Sequence, residues 1–291
     1  MYRLLNFLVI IVVFSSLLHT KNVQAQASKE SFIQGLLRTN KGEYEKAIPY
    51  FNKAIERKPN YFEAYMMRGS SHMKLGNYMT AVIDFDKALD LDPTLVKAYN
   101  YRGFCYLELK DYRRAIEDFT KVTELKPDYP KAFESRGYTL SLQKKHSKAM
   151  NDYNKAIQME PNFPQAFHHR AWSRLATGDT VSAITDLIKA IELDPEPAIY
   201  YDDLGFMYFV SKNYKEALKN FSKAIKLDAK MDLAYLHRGQ LKVEMGKTKP
   251  SCKDFETASE LGNNEAKELL ELHCPTEEKE KKKEKEEKDK E

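Results

Sequence analysis

Apolar positions along this chain recur at helical spacing, three or four residues apart, and there are no runs of alternating β-branched residues. Short polar turns such as "KLGNY", "ELKDY" and "VSKNY" interrupt the pattern and join pairs of amphipathic segments into helix hairpins. The block then repeats: Pro59, Pro93, Pro127, Pro161 and Pro195 are each 34 residues apart. A fixed period in this range predicts stacked repeats, each too small to bury its apolar face alone. Cutting at that period gives seven repeats, 28–61, 62–95, 96–129, 130–163, 164–197, 198–231 and 232–265.

Small residues keep the same register. Gly35, Gly69, Gly103, Gly137, Ala171, Gly205 and Gly239 form one row. Ala47, Ala81, Ala115, Ala149, Ala183, Ala217 and Ser251 form a second, and Ala54, Ala88, Val122, Ala156, Ala190, Ala224 and Ala258 a third. A glycine inside a helix costs about 1 kcal/mol relative to alanine, so a whole row of them implies that something bulky comes close. The bulky row is Phe51, Phe85, Phe119, Tyr153, Leu187, Phe221 and Phe255. Pro49 falls inside the second helix of the first repeat and is expected to distort it.

This pattern of small, small, aromatic, small and Pro resembles the tetratricopeptide repeat over residues 28 to about 265. The resemblance implies an all-α fold, a right-handed superhelical solenoid of about seven helix hairpins. The first repeat departs by having Ser31 where later ones carry Tyr65, Tyr99, Phe133, Phe167, Tyr201 and Tyr235, and the seventh lacks the terminal Pro. End repeats have a neighbour on one side only. A further helix, 264–274, with Lys267, Glu268 and Glu271 on its polar side, is expected to cap the last repeat.

Charge adds a second regularity. Arg68, Arg102, Arg136, Arg170 and Arg238 are each followed sixteen residues later by an acid, Asp84, Asp118, Asp152, Asp186 and Asp254. In the sixth repeat both positions change, to Leu204 and Asn220, and in the first both are absent, as Gln34 and Tyr50. The turn lies near the midpoint of that spacing, which predicts a partly buried ion pair within each hairpin, fixing register more than adding stability.

The ends differ from the repeats. Residues 1–27 hold Arg3, an apolar stretch "LLNFLVIIVVFSSLL" and a small-x-small site ending at Ala27, the pattern of an export signal; the alternative is an uncleaved anchor. An exported protein, periplasmic or secreted, with no membrane span after cleavage, is the expectation. Residues 276–291 end in fifteen residues with seven Lys, eight acids and nothing apolar, expected to be a solvated tail.

The chain has 47 basic and 43 acidic residues, or 45 against 43 without Arg3 and Lys21, and that near balance argues against a nucleic-acid partner. Cys252 and Cys274 lie at about the same level on either side of the turn "LGNN", where a disulfide would clamp the last helix; the alternative is two free thiols. Cys105, on an apolar helix side, is expected to fill the core.

Candidate function rests on the first helices. The resemblance implies that they line a concave groove in which family members hold peptides or partner proteins. Phe104, Tyr138, Trp172 and Phe206, each just after the small residue of the first row, would form an aromatic ladder there. Asn100, Glu134, His168 and Asp202, four residues earlier, would form a polar row beside it. The competing reading packs the aromatics against the neighbouring hairpin and leaves the polar row as solvated surface. Equivalent positions on successive repeats are too far apart for Glu134, His168 and Asp202 to share a metal ion. Phe32 and Leu36 stand where chaperone-binding family members carry the Lys and Asn of a carboxylate clamp, so that partner class is not expected.

No G-x-S-x-G, H-E-x-x-H or phosphate loop occurs, and no cofactor is expected. The expectation is a non-enzymatic scaffold for a peptide or protein, with a glycan-binding envelope protein or a self-assembling element as alternatives.

Overall fold

The computed structural model describes residues 23–274, so the apolar N-terminal stretch and the Lys/Glu-rich tail lie outside the described residues. Among the described residues there are fifteen α-helices and no strand. In chain order they are α1 (23–40), α2 (Tyr44–Arg57), α3 (Phe62–Lys74), α4 (Tyr78–Leu91), α5 (Val96–Glu108), α6 (Tyr112–Leu125) and α7 (Pro130–Leu142). They continue with α8 (His146–Met159), α9 (Pro164–Ala176), α10 (Thr180–Leu193), α11 (Ala198–Val210), α12 (Tyr214–Leu227), α13 (Asp232–Glu244), α14 (Thr248–Glu260) and α15 (Asn264–His273). The architecture is an all-α solenoid of helix hairpins. It divides into two compact bodies, through Lys144 and from Lys145, so α1–α7 belong to one and α8–α15 to the other.

The glycine row has a direct physical cause. A Cβ at Gly69 or Gly103 would stand 2.9 Å from the ring of Phe85 or Phe119, closer than any tolerable carbon contact. In the fifth repeat the small residue is Ala171 and its partner is Leu187, so a slightly larger side chain on α9 meets a smaller one on α10. Phe51, Phe85, Phe119, Leu187, Phe221 and Phe255 are all fully buried, as are the alanines of the other two rows. The core is therefore a succession of local clusters. One joins Phe85 and Ala81 to Cys105, Tyr106, Ala115 and Phe119 of the next repeat. Burial pushes the Cys105 thiol up to about 12, which keeps it protonated and inert.

Tight turns close the hairpins. Gly42, Gly76, Gly178 and Gly246 take the left-handed conformation, and in three other turns Lys110, Lys144 and Lys212 adopt it at φ 59, 58 and 60°. Pro49 does not break its helix: α2 runs from Tyr44 to Arg57 with the proline on its exposed side, where a lost backbone hydrogen bond disturbs no packing. Helix α1 is helical from the first described residue, 23, and runs through the expected cleavage point.

At the other end α15 covers the last hairpin. Ala266 is fully buried, and Leu269 and Leu270 pack against Leu236 and Phe255. Lys267, Glu268 and Glu271 are exposed. Asn263 fixes the start of α15, accepting from the Ala266 amide at 2.9 Å and donating to Asp232 at 2.8 Å. Cys252 and Cys274 are joined by a disulfide with Cα atoms 5.8 Å apart.

Candidate functional site

The first helices carry the candidate site, and the two bodies present it differently. In the N-terminal body Phe104 on α5 is 37% exposed, but one edge of its ring meets Phe119 at 5.2 Å. Asn100 is half-buried one turn earlier on α5, and Glu134 and Tyr138 are half-buried on α7. In the C-terminal body Trp172 on α9 is 39% exposed and stacks on Phe206 of α11, with ring centroids 5.8 Å apart and planes 28° from parallel. Phe206 in turn lies 5.3 Å from the ring of His237 on α13. These rings contact one another and leave a flat apolar face open, an arrangement between the free ladder and the packed interface expected from sequence.

In the C-terminal body the polar row expected beside the aromatics turns inward, so it is not the solvated surface of the competing reading either. Asp202 is 1% exposed, and its carboxylate holds His237 Nδ1 at 3.0 and 3.1 Å. His168 Nε2 contacts Asp203 Oδ2 at 2.5 Å, and the same oxygen accepts from the Trp172 indole at 2.8 Å. The correction has a geometric reason. Successive first helices lean so that a residue meets the one 35 positions on, one repeat plus one residue, and that turns both acids inward. Burial raises the Asp202 pKa; the hydrogen bond from His237 opposes that rise, and Asp203 and Asp232 add to it.

Asp203 and His237, which the sequence reading passed over, are thus the supports of the aromatic face. Both stand in one column of the repeat, after Met67, Tyr101, Ser135 and His169, and that mixed chemistry gives no repeat-wide signal. Among the described residues no group of three His, Cys, Asp or Glu side chains converges where a metal ion could bind.

Arginines on first helices meet aspartates on the second helices of the same hairpins. Arg68 meets Asp84 through two nitrogens at 3.0 and 2.6 Å, and Arg102 meets Asp118 at 2.9 and 2.6 Å. Arg170 meets Asp186 at 2.8 and 2.7 Å, and Arg238 meets Asp254 at 3.0 and 2.7 Å. Arg136 lies in the N-terminal body, where it donates to Thr123 at 2.9 Å; Asp152 is buried in the other body.

Each arginine also reaches backward. Its remaining nitrogen donates to Asn52, Asp86, Asn154 or Ser222, sixteen residues earlier on the second helix of the preceding repeat. The Arg is therefore a three-helix pin, which joins repeats as well as the two arms of a hairpin. Burial works against the Arg102 cation, but Asp118 and Asp86 outweigh it and raise its pKa.

Comparison with known proteins agrees with this geometry. Models of the tetratricopeptide repeat match residues 34–95, 96–129, 130–163 and 198–230, more than half of the chain. No curated protein matches it. A tetratricopeptide repeat protein from Parabacteroides merdae is similar in structure, with TM-score 0.71, 20% identity and coverage of 85% of this chain and 99% of that one. MamA gives TM-score 0.56 at 24% identity, covering 60% and 96%. YrrB, described as a TPR protein with an unusual peptide-binding site, gives 0.53 at 24%, covering 65% and 97%. Among the described residues no helix is long and apolar enough to cross a membrane. With the repeat models and the all-α hairpin stack in agreement, the chain belongs to the tetratricopeptide repeat family.

Proposed function

We propose that this protein is a non-enzymatic, exported interaction scaffold that holds an extended peptide segment of a partner protein against its first helices. The observation that carries the reading is the exposed face of Trp172. A buried carboxylate, Asp203, fixes the indole edge, and Phe206 stacks beneath it, so a large apolar surface is presented in one orientation before any ligand arrives. Preorganised aromatic surface of this kind binds side chains of an extended chain at small entropic cost. YrrB, a similar fold, carries a peptide-binding site, which adds to the reading. Export is supported by the N-terminal apolar stretch and by the Cys252–Cys274 bond, which suits an oxidising compartment.

Trp172 is the only tryptophan, so its fluorescence reports on this face. Titration of unstructured peptides should shift its emission saturably, and Phe206→Ala should weaken that response about tenfold or more. A shift with wall-derived sugars but not peptides would replace the reading with glycan binding. A concentration-dependent shift without ligand would replace it with self-assembly.

A further inference from the structure

Beyond the first repeat, the row of arginine positions is interrupted in the sixth, where all the members change together. In the sixth repeat the Arg becomes Leu204, its Asp becomes Asn220, and the residue it would reach on the preceding second helix becomes Ile188, where other repeats have Asn52, Asp86, Asn154 and Ser222. The equivalent cleft of the third repeat is walled by Asp86 and Arg102, so the changes in the sixth repeat turn a polar cleft into an apolar one. A cleft of about 410 Å³ opens between α10 and α12, floored by Ile188, Ile191, Leu204 and Tyr201. Ile188 is 39% exposed at its edge, while Leu204 is 5% exposed at its base.

The rim is basic. In other repeats the arginine lies over the aromatic ring of its own first helix, 5.3 to 5.6 Å from the centroid. Over Tyr201 that place is taken by Lys223, with Nζ 5.6 Å from the ring centroid. The equivalent lysines Lys87, Lys121 and Lys189 each pair with the acid three residues on. Three residues after Lys223 stands Lys226, so its charge is not neutralised in that way. Lys219 adds a second cation, held only loosely by Glu216 at 3.4 Å. Glu192, on the opposite wall, is already paired with Lys189.

We propose that this cleft is a second docking site, which takes an acidic segment of a partner protein carrying one large apolar side chain. The apolar side chain lies against Ile188, Leu204 and Tyr201, and flanking carboxylates meet Lys219 and Lys223. Charge complementarity selects the occupant: a basic or uncharged segment would leave Lys223 at the rim without a counter-charge. The site lies between second helices and does not depend on the first-helix reading.

The test is fluorescence anisotropy with the full chain and a fluorescein-labelled peptide of Leu and Phe flanked by Asp and Glu. Binding is expected without a shift in Trp172 emission. Lys223→Glu, an exposed change, should weaken it about tenfold. Rebuilding the pin with Ile188→Asn, Leu204→Arg and Asn220→Asp together should weaken it by at least about tenfold while helicity is retained. Lack of binding, equal binding of a peptide with Lys in place of its acids, unchanged affinity in Lys223→Glu, or a Trp172 shift that saturates with the anisotropy would each overturn the inference. Were the rebuilt chain unable to fold, the exposed Lys223→Glu variant decides alone.

Discussion

At the scale of single residues, size matching decides most of what is seen. Gly103 is glycine because Phe119 fills the space a Cβ would need, and Ala171 is tolerated because Leu187 leaves more room. Gly103→Ala should therefore cost about 1–3 kcal/mol in urea denaturation. Adding Phe119→Leu should cost less than the two single changes summed, with a coupling of about 0.5–3 kcal/mol. Strict additivity would show that the ring is not the obstacle. Asp202 makes a separate prediction. Its folded pKa is raised above the ordinary 3.8, so the folded state binds the proton more tightly and the carboxyl contributes most stability below that value. That contribution is lost as pH rises through the folded pKa. Asp202→Asn, which stays neutral, should thus become relatively more favourable between about pH 4 and pH 7. A trend in the opposite direction, measured by denaturation at both pH values, would mean that His237 more than offsets burial. The glycine and aromatic rows were legible in the sequence because each pair belongs to one hairpin. The Asp202–His237 contact was not, because its 35-residue separation depends on how one hairpin leans on the next.

Among the elements, arginines tie neighbouring second helices together within each body, except where Leu204 stands. Each Arg bonds forward to an acid of its own hairpin and backward to the preceding second helix, so a single side chain fixes both the hairpin register and the seat of the next repeat. Desolvation offsets much of the Coulomb attraction, and specificity of register is the larger gain. Arg68 and Asp84 offer the clean experiment, since the third partner, Asn52, is neutral. At Arg102 the reversal would set an acid against Asp86. Asp84→Asn should destabilise by about 1–3 kcal/mol. Arg68→Asp combined with Asp84→Arg should recover part of what either charge reversal loses alone. Equal loss in the double variant would refute a pairing role. The forward half of this device was readable, through the sixteen-residue spacing and its joint loss in the sixth repeat. The backward half has the same spacing but mixed chemistry, Asn, Asp and Ser, so no single residue type marked it.

On the scale of the whole molecule, stability is a sum of nearest-neighbour contacts, and the ends matter because each lacks a neighbour. The C-terminal end is closed by α15 and by the Cys252–Cys274 bond, whose partners are 22 residues apart. Opening that bond with Cys252→Ser and Cys274→Ser should cost about 3 kcal/mol. Amide exchange should rise first in α15 and α14 and leave α9–α12 nearly unchanged. A uniform rise would indicate one cooperative body rather than a chain of local contacts. The sequence by itself determined the repeat, the hairpins, the small and bulky rows and the Arg and Asp spacing, and it set Cys252 and Cys274 at one level across a turn. Those contacts form across a turn of fixed length, so covalent distance sets them. Only the tertiary structure decided that His168 and Asp202 turn inward, that Trp172 is braced by Asp203 and Phe206, and that the cleft beside Leu204 is lined by apolar side chains. These follow from the angle between successive hairpins, a property of packing that no local pattern encodes.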